Sequence, residues 1–260
     1  MRVGTLNLNG FRAACNKGLL TWVEESNFDI LCLQEVRFGQ DQYKGALSIP
    51  DGWHWVQADA EKKGYSGVAI WSKKAPNEVK SEIGLDWADR EGRAVSMVFD
   101  ELEIWSIYFP SGTSGDERQG YKDRFLVFMK DKMNEWASSG RKVLVCGDVN
   151  IAHTALDIFH DKSNTKTSGF LPHERAWVSE RLENGWVDVF RKHHPSVECY
   201  SWWSNRRKST RDKNVGWRID YQFATQALAK YSASSEIVDR SLFLSDHTAV
   251  IADYDIQLGK

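Results

Sequence analysis

The sequence predicts a single α/β domain. Eight short apolar runs read as strands, three stretches carry helical spacing, and the two kinds alternate along 260 residues. No linker interrupts them, because the five prolines are scattered and no Gly/Ser-rich or single-sign tract appears. Val3–Leu8 and Ile30–Gln34 are the first strands, with a helical pattern over 17–26 between them. Gly67–Trp71, Ala94–Phe99 and Leu102–Tyr108 follow. A second helix over 119–138 carries Phe125, Phe128, Met129 and Trp136 on one stripe and ends near Gly140. Val143–Cys146 is the next strand, and a third helix over 172–184 opens on Pro172 and stops at Gly185. Trp217–Phe223 alternates as a strand that sets Asp220 opposite Ile219 and Tyr221, and Ala249–Tyr254 closes the series. A hydrophobic share of 42% suffices for one core, which the aromatic stripes and most of the twelve tryptophans are expected to fill.

The informative feature is what stands at the ends of these runs. After Val143-Leu144-Val145 comes Cys146-Gly147-Asp148-Val149-Asn150, with Gly147 marking the strand exit. On its own this pentapeptide reads as an Asx-rich turn. Four more segments repeat the pattern: Asn7 and Asn9 before Gly10, Gln34 and Glu35, Asp220, and Ser245-Asp246-His247. Carboxylate, carboxamide and imidazole groups gathered at strand ends point to metal-assisted attack of water on a phosphate. The oxygen donors Glu35, Asn9 and Asp246 suit Mg²⁺, with Mn²⁺ as substitute, rather than zinc. Asp148 beside Asn150 is placed to orient and activate water, and His247 to hold a charged phosphate.

These stretches resemble the exonuclease III family of abasic-site (AP) endonucleases, within the endonuclease/exonuclease/phosphatase superfamily. The resemblance runs in order through 7–13, 33–35, 64–68, 147–153, 169–172, 174–175, 214–221 and 245–247, nearly the whole chain. It implies a four-layered α/β sandwich of two packed mixed sheets flanked by helices, and Mg²⁺-dependent cleavage of double-stranded DNA 5′ to an abasic site. Trimming of blocked 3′ ends and 3′→5′ degradation are implied as further activities. Carried over residue by residue, Asp148, Asn150, His247, Tyr108, Asp220 and Asn7 fall in the catalytic set. Trp202, Trp217 and Ile219 fall where an apolar slot receives the flipped abasic sugar, although Trp202 and Trp217 read equally well as core. Asn164 and Arg118 fall among groups that hold the DNA backbone. Ser111 and Thr167 stand where relatives carry amides, and Asn9 where some carry Asp, which removes a charge near the metal. Two rivals are a phosphatase of non-DNA phosphoesters and a catalytically silent DNA-binding module. The first would lack the 214–221 motif, and the second would have no need of clustered carboxylates.

The formal charge of −2 excludes a protein that coats nucleic acid non-specifically, so DNA contact calls for a local basic surface. Between Asn205 and Arg218 the cations Arg206, Arg207, Lys208, Arg211, Lys213 and Arg218 face one acid, Asp212. Either this is a solvated loop or it reaches the DNA, with Arg206 and Arg207 as the leading contacts. Cys15, Cys32, Cys146 and Cys199 show no metal-type spacing and read as reduced thiols. His54, His160, His193 and His194 read as surface groups, and His153 as either a turn residue or a support of the site. With no signal-like or membrane-spanning stretch, the expectation is a cytoplasmic monomer without membrane contact.

Overall fold

In a computed structural model, residues 1–205 and 209–258 are described. Twelve strands form two six-stranded sheets. The first has the order β11 (Ser232–Ile237), β12 (Val250–Tyr254), β1 (Arg2–Asn7), β2 (Ile30–Gln34), β4 (Val68–Ser72), β3 (His54–Ala58). The second runs β5 (Glu78–Lys80), β6 (Ala94–Phe99), β7 (Leu102–Tyr108), β8 (Lys142–Asp148), β10 (Asp220–Thr225), β9 (Trp186–Asp188). Helices α1 (Phe11–Cys15) and α2 (Leu19–Glu25) accompany the first sheet; α4 (Asp116–Ser138) and α5 (Pro172–Glu183) accompany the second. The short helices are α3 (Asp86–Arg90), α6 (Val189–His193), α7 (Ser209–Asp212) and α8 (Gln226–Ala229).

Three apolar layers separate the four layers of backbone. Period-two alternation sends Ile30 and Cys32 of β2 toward the second sheet, and Leu31 and Leu33 toward α1 and α2. In β8, Leu144 and Cys146 face the first sheet while Val143 and Val145 meet α4 and α5, where Phe125, Met129, Trp136 and Trp177 pack. Central strands buried on both faces read as continuous apolar runs, which is why they were legible. Two expected boundaries shift. β8 runs through Gly147 to Asp148, and a Cβ on Gly147 would lie 1.9 Å from the Ile107 carbonyl oxygen, so only glycine fits that close approach. β10 begins at Asp220 rather than Trp217; Trp217 instead makes isolated bridges with Ile158 and Trp202.

Each sheet contains one parallel pair, β1 with β2 and β7 with β8. Parallel strands end at the same rim. Asn7 therefore stands level with Gln34, and Tyr108 with Asp148, while antiparallel β10 starts at that rim with Asp220 opposite Asp148.

Candidate active site

At this rim Asn7 joins the two sheets. Its fully buried Nδ2 donates to Glu35 Oε1 and to Asp148 Oδ2, both at 2.9 Å, and its Oδ1 accepts from the Asn9 amide at 2.9 Å. The second Glu35 oxygen meets Arg37, and the Tyr108 hydroxyl donates to the same carboxylate. Asp148 Oδ1 accepts from the Asn150 backbone N–H at 2.9 Å. Asp220 Oδ2 accepts from Ser201 Oγ at 2.6 Å and pairs with His247 Nδ1 at 2.9 Å, leaving His247 Nε2 at 3.9 Å from Asp148 Oδ2. Asn9 Nδ2 donates to Asp246 Oδ1 at 2.9 Å, and the Trp202 indole to Asp246 Oδ2 at 3.2 Å. All nine residues predicted for catalysis and metal binding thus form one connected network. Three of them, Asn9, Glu35 and Asn150, hold φ between 46° and 57°, a left-handed backbone that aims their side chains across the rim.

The electrostatics separate the roles. Burial, then Asp220 and Glu35, push the Asp148 pKa up to about 8, against the pull of His247. Burial alone would depress His247, but Asp220 beside it, with Asp148 and Asp246, carries its pKa to about 10, so the ring is an imidazolium at neutral pH. Burial, followed by the charges of Glu35 and Asp148, raises the Tyr108 phenol well above its ordinary value and keeps it a proton donor. Crowded buried carboxylates of this kind call for a cation. The residues fit a hard divalent ion: Glu35 and Asp246 offer carboxylate oxygens, and Asn9, whose nitrogen is directed at Asp246, retains its amide oxygen. Asp148, Asp220 and His247 also bring ligand atoms within 4.8 Å of one another. That trio is a poor metal site, because an imidazolium already bonded to Asp220 offers no lone pair.

Beside the network lies an apolar cluster. Ile158, Phe170 and Ile219 are buried there, with Trp202 and Trp217 half-buried at its edge, their rings edge-to-face at 6.2 Å. Trp202 lies between cluster and network, hydrogen-bonded to Asp246 and 6.4 Å from the His247 ring. Both tryptophans pack on the cluster and keep part of their surface exposed.

The other residues expected at the site stand further out. Asn164 Nδ2 donates to the His160 carbonyl, Ser111 Oγ bonds Thr113 Oγ1, and Arg118 bonds the Tyr65 hydroxyl at 2.8 Å and pairs with Glu91 at 3.5 Å. Arg206, Arg207 and Lys208 lie outside the described residues. The rest of the basic segment is corrected by the structure. Arg211 donates to the carbonyls of Arg240, Leu242 and Ser245, and Arg218 is fully buried between Asp157 and Asp188. Only Lys213 of these three is exposed, since desolvating a guanidinium requires the acceptors that Arg211 and Arg218 find inside. Charged side chains line a cavity of about 640 Å³, where Arg12, Arg37, Lys62 and Lys63 stand with the acids Asp41, Asp59 and Glu61. His153 bonds Ser179 Oγ and takes no part in the network. His193 and His194 are half-buried against Ser232 and Ser235 rather than free in solvent. Ser201 was not anticipated: a serine before two tryptophans carries no sequence signal, yet it is fully buried and also accepts from the Ile219 and Asp220 amides.

Comparison with known proteins agrees with this geometry. Residues 4–247 match the model of the endonuclease/exonuclease/phosphatase family. An exodeoxyribonuclease of Bacillus subtilis is 36% identical over 253 residues, 96% of this chain and 98% of that protein. A DNA-(apurinic or apyrimidinic site) endonuclease of Dictyostelium discoideum is 33% identical over 252 residues, 96% of this chain and 69% of that protein. The solved AP endonuclease of Archaeoglobus fulgidus superposes with a TM-score of 0.88 at 26% identity, covering 98% of this chain and all of that one. The chain therefore belongs to the endonuclease/exonuclease/phosphatase family, and within it to the exonuclease III type of AP endonuclease and exodeoxyribonuclease.

Proposed function

We propose that this protein is a Mg²⁺-dependent AP endonuclease of base excision repair. It hydrolyses the phosphodiester 5′ to an abasic site to leave a 3′-hydroxyl, and it trims blocked 3′ ends. The observation that carries the reading is the junction of the apolar cluster with the acidic network through Trp202 and Asp246. A sugar without its base fits an apolar slot that a full nucleotide does not, so recognition and hydrolysis share one wall. It acts as a cytoplasmic monomer on double-stranded DNA, which it holds with Arg206 and Arg207 and with the cations Arg12, Arg37, Lys62 and Lys63.

Asp148, once ionised, takes the proton of the attacking water, and Asn7 and the Asn150 backbone N–H fix the direction of its carboxylate. The His247 imidazolium, held by Asp220, faces the negative charge that grows on the phosphate, and the Tyr108 hydroxyl donates to the same group. Glu35, Asn9 and Asp246 would hold Mg²⁺, which would supply positive charge against the negative charge of the reacting phosphate.

A duplex carrying a central tetrahydrofuran, beside one carrying a 3′-phosphate nick, tests the reading directly. Incision of the first is expected; failure to cut it while inositol phosphates are hydrolysed would replace DNA repair by phosphatase chemistry. Activity should vanish in EDTA and return with Mg²⁺ or Mn²⁺, and Glu35→Gln should raise the metal concentration needed by at least about tenfold. Full activity in chelator would refute a metal-dependent reaction. Trp217→Ala should erode discrimination between abasic and intact duplex more than total binding, because the slot works by exclusion. Equal loss on both duplexes would return Trp217 to the core.

A further inference from the structure

Beneath the site lies a buried ion pair that the mechanism above does not use. Lys122 is in the middle of α4 and Glu174 in the first turn of α5; both are 0% exposed, and Lys122 Nζ lies 2.6 Å from Glu174 Oε1. Burial of two charges costs several kcal/mol and apolar replacements are often at least as stable, so such a pair calls for a reason beyond stability. Its remaining bonds supply one. Lys122 Nζ donates to the backbone carbonyl of Asn150 at 2.8 Å. Glu174 Oε2 accepts the amides of Gly169 at 2.6 Å and Leu171 at 3.0 Å. Asn150 holds the left-handed φ of 57°, and its side chain donates to the Phe109 carbonyl. Gly169 leads into Phe170, a buried member of the apolar cluster, and packs so closely that a Cβ there would meet both the Asn150 carbonyl and the Trp217 ring at 3.0 Å. The two ends of the pair therefore clamp the two loops that carry chemistry and sugar recognition.

We propose that Lys122 and Glu174 are positioning residues that hold Asn150 and the Gly169–Phe170 wall of the slot in fixed register, so that a sugar seated in the slot brings its phosphate to Asp148. This rests on the functional reading of Asp148 given above. Neither residue touches substrate; they act through the Asn150 carbonyl and the Gly169 amide.

The test compares Lys122→Met, Asp148→Asn and the double variant, with Glu174→Gln standing in for Lys122→Met if the latter does not fold. On tetrahydrofuran duplex, Lys122→Met should lower kcat by about tenfold to a hundredfold with KM within about threefold, the size expected of a misplacement near 1 Å. On the Asp148→Asn background the same substitution should add less than about threefold, because the proton acceptor to which the phosphate is brought is already gone. Hydrogen exchange gives an activity-independent reading: amides of 149–152 and 168–171 should exchange faster in Lys122→Met while those of the first sheet stay unchanged. Full additivity in kcat, or exchange that rises evenly across both sheets, would reduce the pair to a general stabiliser and overturn the proposal. Absence of incision by the parent chain would instead defeat the functional reading, and exchange alone would then decide whether the clamp exists.

Discussion

Asp148→Asn is expected to slow incision of abasic DNA by roughly 10²–10⁴-fold while DNA binding changes by no more than about threefold. The substitution keeps shape and removes chemistry. Oδ1 of Asp148 takes the Asn150 amide, so the new amide nitrogen replaces Oδ2 and confronts Asn7 Nδ2, donor against donor, where two sheets are now joined. The proton acceptor of the attacking water is lost together with the bridge that aims it. A second signature follows from His247. Its pKa is raised to about 10 by Asp220, Asp148 and Asp246 against the effect of burial, so the imidazolium persists through neutrality and is lost as pH rises through that value. The parent should therefore lose rate on the alkaline side, and removing the charge at 148 should move that limb to lower pH. Single-turnover rates and dissociation constants measured from pH 6 to 10.5 check both; turnover within a few-fold of the parent would remove Asp148 from the role of base.

The largest stability effect is expected at Asp157, well away from the reacting groups. Asp157 is fully buried, receives Arg218 Nε at 2.7 Å and Arg191, and caps its own turn by accepting from Thr154 N and Oγ1 at 2.8 and 2.9 Å. Arg218 has one other carboxylate, Asp188, at 2.7 Å. Asp157→Asn leaves two guanidiniums with a single acid between them inside the protein, and the expected loss is about 3–5 kcal/mol. Burial would raise the Asp157 pKa, but Arg218 and Arg191 overcome it and hold the carboxyl well below the usual range. A depressed pKa contributes stability above the ordinary carboxylate value, near 3.9, and loses it as pH falls below. The gap between parent and variant should thus be full at pH 7 and narrow toward pH 3. Urea unfolding at both pH values measures it, and a loss below about 1 kcal/mol at pH 7 would show that the network relaxes around the missing charge. Since Arg218 lies between Trp217 and Ile219, preference for abasic DNA should decline in parallel.

How far the sequence could be read follows from burial. The central strands were visible because both faces are apolar; the four that escaped, β3, β5, β9 and β11, are the four sheet edges. Edge strands are short and half-solvated, and Ser232–Ile237, with mostly small polar residues, has neither an apolar run nor clean alternation. The site was legible as groups at strand ends, since parallel pairing brings such ends to one rim whatever the intervening loops do. Its supports were not. Ser201, Lys122 and Arg218 look like ordinary polar residues in a string of letters, and counting cations from 205 to 218 could not reveal that Arg211 and Arg218 turn inward to carbonyls and carboxylates. Direction of a side chain is a tertiary property, which charge patterning along the chain does not encode.

Strand β1, at the start of the chain, pairs in the first sheet with β12 near its end, Arg2 opposite Asp253, and His247 arrives only three residues before β12 begins. A ribosome emits the chain from the amino end, so Asn7 and Glu35 exist long before Asp246 and His247 reach them. Until the last strand closes against the first, the cutting groups are divided between unjoined halves. A chain cut short before Asp246 is therefore expected to fail at incision, because it lacks both Asp246 and His247.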